Sequence, residues 1–191
     1  LATSRFRANR MLKWHYRSRH ESLIDFSNHH FYQNQLIIPP SPITTSAVTT
    51  TKDDAYYKGK INIQEKDKLI KDLIPFMSKN IRKGDGDKKS KSCLIVTMNI
   101  FQAESIEDDL NKKKLEYPII EEYENSWKDT GEEFTVKNLE SVQGDERDVI
   151  FISTLFGPEK PGAKVKQTFG PINNKGGQRR LNVLFTRARQ N

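Results

Sequence analysis

Apolar and polar positions along this chain follow two different periods. CLIVTM (93–98) is a continuous apolar run rich in β-branched residues, the pattern of a strand covered on both faces. FTVKNLESV (134–142) and VIFIST (149–154) predict two further strands, and MLKWHY (11–16) a short one with apolar and aromatic alternation. Another short strand is read near 60–63. Helical spacing marks 22–32, where Leu23, Phe26 and His30 or Phe31 share a side, then roughly 65–79 and 101–113. The third of these is acidic at its start and basic at its end, as the helix dipole prefers. Residues 117–131 are charged and aromatic without a clear period and read as variable. Near the C-terminal end, GGQRRLNVLFTRAR (176–189) opens on a double glycine. At about 100° per residue, Leu181, Leu184, Phe185 and Ala188 share one arc, with Arg180 and Arg187 in line at its edge. Strands alternating with helices predict an α/β fold, a mainly parallel sheet with helices on both faces.

Between these elements, residues 38–51 are rich in proline, serine and threonine, and 39–55 is expected to be a flexible connector. The stretch GDGDKKSKS (84–92) is a solvated turn; it lacks the Gly-x-x-x-x-Gly-Lys-Ser/Thr spacing of a phosphate loop. A long loop covers 156–175.

Composition adds less. A length of 191 residues fits one domain with a real core. Hydrophobic content of 35% is low for a self-contained globule, which implies long loops or surface covered by a neighbour. The net charge of +7, from 32 Lys+Arg against 25 Asp+Glu, favours an anionic partner such as nucleic acid or nucleotide phosphate. A single cysteine, Cys93, excludes an intramolecular disulfide and a cysteine-cluster zinc site, and its apolar setting suits a buried, inert thiol. His15, His20, His29 and His30 have no suitably spaced carboxylate or cysteine, so no metal site is read. No apolar stretch approaches the ~20 residues of a membrane span, and a cytoplasmic location is expected. The chain begins at Leu1, which suggests a piece of something longer.

In parallel sheets, ligands bind where strands end. That picks out Tyr16-Arg17, Thr97-Met98-Asn99 and Gln143-Gly144-Asp145-Glu146. Gly144 lets backbone approach a ligand, and the Glu146 carboxylate suits two adjacent sugar hydroxyls. The same four residues also read as a tight turn with solvated acids. Arg180 and Arg187 at the lip of a buried helix face suit a phosphate, or they merely snorkel.

Four blocks in order, HYRSRHESLI, VTMNIFQAE, VKNLESVQGDERDVIFIS and RRLNVLFTRAR, resemble the second RecA-like domain of superfamily 1 helicases. The wording WHYRSRHESLI, SVQGDERDVIFIS and FGPIN…RRLNVLFTRAR is similar to bacterial AAA-domain DNA helicase-related proteins, over about residues 9–189. The resemblance implies a RecA-like P-loop NTPase fold in which Tyr16 stacks on adenine and Arg17 reaches the γ-phosphate. It implies that Glu146 holds the ribose, with Gln143 and Gly144 beside it, and that Arg187 is an arginine finger. Arg180 would serve motif packing or coupling. Thr97, Asn99 and Gln102 match a segment that grips a single-stranded backbone, and Asn138 matches a Thr/Ser position with that role. Met98 stands where a proline is common, and Asn99 where an aromatic is common, so the strand contacts depart from the family pattern.

Walker A and Walker B sequences are absent; in the family they belong to the first RecA-like domain, which holds most of the ATP and Mg2+. The expectation is therefore one C-terminal motor domain, residues 1–191, of an ATP-dependent DNA helicase, ending short of the family's last strand. Its partners would be the first RecA-like domain and single-stranded DNA or a duplex junction, and alone it would be inactive. A RecA-like binding module without a nucleotide role, and an RNA helicase domain, are the alternatives.

Overall fold

The computed structural model describes residues 11–52, 55–165 and 169–190. Its centre is β1 (Cys93–Thr97), whose five residues are all buried. Strands β2 (Thr135–Asn138) and β3 (Val149–Ser153) flank it in a parallel sheet of order β2-β1-β3. Thr97 lies level with Asn138 on one side and Ser153 on the other.

Side chains of β1 alternate between two cores, as a period of two requires. Cys93 and Ile95 face one built by Leu69, Ile70, Leu73 and Met77 of α2 (Ile63–Lys79), Ile106 and Leu110 of α3 (Ile100–Lys113), and Ile120 and Tyr123 of α4 (Ile119–Ser126). Leu94 and Val96 face the other, with Leu139, Val142, Leu155, and Leu184 of α5 (Gly177–Phe185). Each fully buried side chain of this size stabilises by roughly 1.5–3 kcal/mol, so a strand apolar on both faces is what holds the two layers together. Helix α1 (Ser22–Phe31) packs against α5, where the Phe26 and Phe185 rings meet edge-on at 4.9 Å.

Local chemistry sets the helix starts. Asn62 caps α2 by accepting from the Glu65 amide at 3.1 Å, and Asn99 caps α3 by accepting from the Gln102 amide at 2.8 Å. At α5 a Cβ on Gly177 would sit 2.0 Å from the Ile172 carbonyl oxygen. Only glycine permits that approach between α5 and the 3₁₀ turn Gly170–Ile172.

The α/β architecture agrees with the pattern reading, and several elements differ. Residues 11–16 form a single bridge, Trp14 with Ile37, because no second strand lies alongside them among the described residues. Residues 60–63 are the end of a small hairpin, Lys58 bridging Ile61, followed at once by α2. The segment read as variable contains α4, whose Ile120 and Tyr123, with Trp127 at its C-cap, are buried at helical spacing. Residues 39–52 have no regular structure but are anchored: Ser41 N–H donates to Glu21, the Ile43 carbonyl meets His20, and Ala47 N–H donates to the Ser22 hydroxyl.

Candidate nucleotide site and strand-contact rim

Three segments far apart in sequence run side by side at one end of the sheet. Arg19 N–H donates to the Arg189 carbonyl at 2.8 Å, Arg189 N–H to the Arg147 carbonyl at 2.9 Å, and Arg147 N–H to the Arg187 carbonyl at 3.4 Å. This backbone pairing brings Arg17, Glu146 and Arg187 together. Arg17 and Glu146 form an ion pair, with Nε 2.9 Å from Oε2. Arg187 feels Arg17, Glu146, Asp145 and Tyr32; burial, and then the like charge of Arg17, hold its pKa below the usual guanidinium value. Its Nε donates to the Val183 carbonyl at 3.0 Å, in the last turn of α5 where the helix dipole is negative. That bond fixes the stem, while the other guanidinium N–H groups have no partner among the described residues.

Asp145 is neutralised separately, by Lys137 Nζ at 2.6 Å. Two arginines are thus held near one another with one carboxylate, Glu146, between them, and a polyanion would relieve that repulsion. The donor set fits the phosphate end of a nucleotide. The ring of Tyr16 is open, the residue being 89% exposed, and can accept a stacked base. Tyr32 and Asn182 complete the neighbourhood, Asn182 Nδ2 donating to the Tyr32 hydroxyl at 3.1 Å. Sequence reading missed both, since no local spacing relates residues on α1 and α5.

The position of this cluster corrects the strand-end expectation. Arg147 bridges Ala188 just ahead of β3, and Ser92, just ahead of β1, exchanges hydrogen bonds with Asp148. The cluster therefore lies at the N-terminal rim of the strands. Because β2 and β3 are parallel, residues 139–148 must carry the chain back from one rim to the other, and Glu146 falls at the end of that return. About 16 Å of strand separates the two rims.

Gln143 and Gly144 stand earlier on the return. Gly144 has φ +96°, a left-handed turn, with open space where a Cβ would be. Gln143 lines a recess of about 360 Å³ with Leu139, Glu140, Arg179, Arg180 and Val183, and Arg187 is not part of its lining. Arg180 pairs with Glu140 at 3.0 Å. The single line drawn through Arg180 and Arg187 is thus broken: α5 ends at Phe185, and Arg187 leaves with the extended segment that pairs with Arg147.

At the C-terminal rim the four expected strand contacts divide. Thr97 and Gln102 are fully buried. The Thr97 hydroxyl donates to the Asn99 carbonyl; Gln102 Oε1 accepts from Asn62 N–H at 2.9 Å, and its Nε2 donates to the Asn62 carbonyl at 3.1 Å. Neither presents a polar group to a strand, because both are engaged in joining β1, α2 and α3. Asn99 is partly exposed but caps α3 and donates its Nδ2 to the Lys60 carbonyl at 2.8 Å. Asn138 accepts from Ser141 and Glu140 through Oδ1, while its Nδ2 has no partner among the described residues. Among the same residues, no group of three His, Cys, Asp or Glu side chains is placed to hold a metal, and no helix is long and apolar enough to cross a membrane.

Residues 39–191 match the profile of an AAA domain family of the superfamily 1 helicase type. The chain belongs to that family. As a RecA-like AAA domain it is also similar to an uncharacterised ATP-dependent helicase of Mycoplasma genitalium, MG140, with 34% identity over 98% of the chain. The homologue of MG140 in Mycoplasma pneumoniae is 32% identical over the same share. The chain spans 16% of the length of each of these relatives.

Proposed function

We propose that this AAA domain is the second motor domain of an ATP-dependent superfamily 1 DNA helicase. ATP with Mg2+ would lie between it and a first RecA-like domain that carries the phosphate loop and the metal ligands. The observation that carries this reading is the meeting of Arg17, Glu146 and Arg187, from three separate blocks of sequence, at one rim. Tyr16 would stack on the adenine. Arg17 would exchange Glu146 for the γ-phosphate, and Glu146 would then accept from the ribose hydroxyls, with Gln143 and Gly144 shaping the loop that carries it. The free N–H groups of Arg187 would meet the charge that builds on the transferring phosphoryl group, where a preplaced guanidinium is worth most. Single-stranded DNA would cross the opposite rim, near Asn99 and Asn138. Closure of the two domains on ATP, and opening after hydrolysis, would make the strand contacts alternate. The names of the Mycoplasma relatives support the use of ATP.

The test is ATP turnover by the whole helicase polypeptide, with DNA and with RNA as stimulants. Arg187→Ala should lower turnover by roughly 10³–10⁵-fold, and the separate domain should release no steady phosphate. Turnover indifferent to Arg187→Ala would refute the reading, and stimulation by RNA alone would replace DNA with RNA.

A further inference from the structure

The rim where β1 ends displays other groups in place of Thr97 and Gln102. Phe101, in the first turn of α3, is 44% exposed, and Ile100 beside it and Ile63 at the start of α2 are exposed as well. Lys60 Nζ stands 4.0 Å from the centroid of the Phe101 ring. That placement is built into the backbone. Lys58 and Ile61 close a hairpin with paired bonds of 3.0 and 3.3 Å, and its tip, Gly59 and Lys60, has φ +61° and +75°. The Lys60 carbonyl is held by Asn99 Nδ2, the residue that also caps α3. A lysine in the left-handed region is uncommon and persists where its surroundings over-determine it. Here they fix an ammonium over a partly open aromatic ring.

An exposed ring beside a cation complements the two things a single strand offers at each step, a base face and a phosphate. Lys58, on the same hairpin, adds a second exposed cation. Asn138 ends the strand next to β1, level with Thr97, so its unpaired Nδ2 lies further along the same rim. Glu104, one turn along α3 from Phe101, is exposed as well. We infer that Lys60 and Phe101 form a contact for single-stranded DNA, Phe101 stacking on a base and Lys60 meeting the adjoining phosphate. The inference rests on the proposed helicase reading and gives its strand track a specific anchor that the buried Thr97 and Gln102 cannot supply.

The experiment is fluorescence anisotropy of a labelled oligo(dT) titrated with the whole helicase polypeptide, joined to photocrosslinking with 5-iododeoxyuridine. Phe101→Ala should weaken binding about tenfold and Phe101→Trp should restore it. Lys60→Asn, which suits the left-handed backbone, should reduce the slope of log affinity against log salt by about one. The crosslink should fall on the peptide that contains Phe101. Wild-type affinity in Phe101→Ala with crosslinks elsewhere overturns the inference. So does a change in self-association, read by light scattering, without a change in DNA affinity, which would make the patch a protein interface. A wild-type protein that binds ATP but no strand removes this contact and leaves the nucleotide reading standing. Conversely, loss of DNA binding in Phe101→Ala alongside undiminished turnover in Arg187→Ala supports the contact while removing the motor reading.

Discussion

Replacing Gln102 by leucine separates a core role from a strand-gripping one. The side chain is fully buried, and Asn62, its main partner, is 2% exposed. Leucine is close in volume, so little cavity forms, but the Asn62 N–H, which donates to Gln102 Oε1 at 2.9 Å, loses its acceptor. A buried donor left unpaired costs about 1–3 kcal/mol. The Asn62 carbonyl keeps its bond from Lys66 N–H at 3.1 Å, so the lost bonds from Gln102 Nε2 to that carbonyl and to the Ser153 hydroxyl at 3.3 Å add less. At roughly 0.5–1.5 kcal/mol each, they bring the sum to about 2–6 kcal/mol. Native domains retain only about 5–15 kcal/mol in all. For a chain of this length, at about 2–4 °C per kcal/mol, the melting temperature should fall by roughly 4–24 °C. Circular dichroism melts of the chain and its variant read this directly. A melt within about 2 °C of wild type, together with weaker binding of single-stranded DNA, would refute the reasoning and return Gln102 to the strand contact expected from its place in the sequence.

Two further outcomes follow from buried groups. Burial pushes the Cys93 thiol up to about 12, so Ellman's reagent at pH 8 should react only after denaturant is added; stoichiometric labelling of the native chain within minutes would contradict this. Burial alone would raise the Glu132 carboxyl, but hydrogen bonds from Arg189 and Ser92 outweigh it and hold the pKa below its ordinary 4.5. A lowered folded-state pKa means this stabilisation is present above about pH 4.5 and disappears as the pH falls through the folded value. Glu132→Gln should therefore be less stable at pH 7 and show a flatter decline in urea midpoint below pH 4.5; an acid decline as steep as wild type would count against it.

Much of the sheet was readable in advance because β1 is apolar at every position and can only be a strand covered on both sides. Arg17, Glu146 and Arg187 were singled out by the resemblance of their blocks, while nothing local in the sequence said that they would meet. Helix α4 was missed because Glu121, Glu122, Glu124 and Asn125 surround its buried Ile120 and Tyr123 and blur a spacing that was present. MLKWHY carries a strand pattern, yet pattern alone cannot supply a neighbouring strand. Helical phase could not place Arg187, because phase loses its meaning once α5 stops two residues earlier. Polar residues at a strand end or in the helix turn just after it, such as Thr97 and Gln102, look alike in sequence whether they await a ligand or tie elements together. Only their partners distinguish the two.

The stitching of residues 17–19, 145–148 and 187–190 has a backbone ladder beneath its side-chain pairs, and every amino acid except proline supplies that ladder's peptide groups in full. Neighbouring side chains can therefore drift over evolutionary time without displacing the charged tips they surround. The same arrangement has one characteristic weakness. A proline at 19, 147 or 189 would remove a donor from the seam itself, so the domain is forgiving of altered surfaces there and intolerant of an altered main chain.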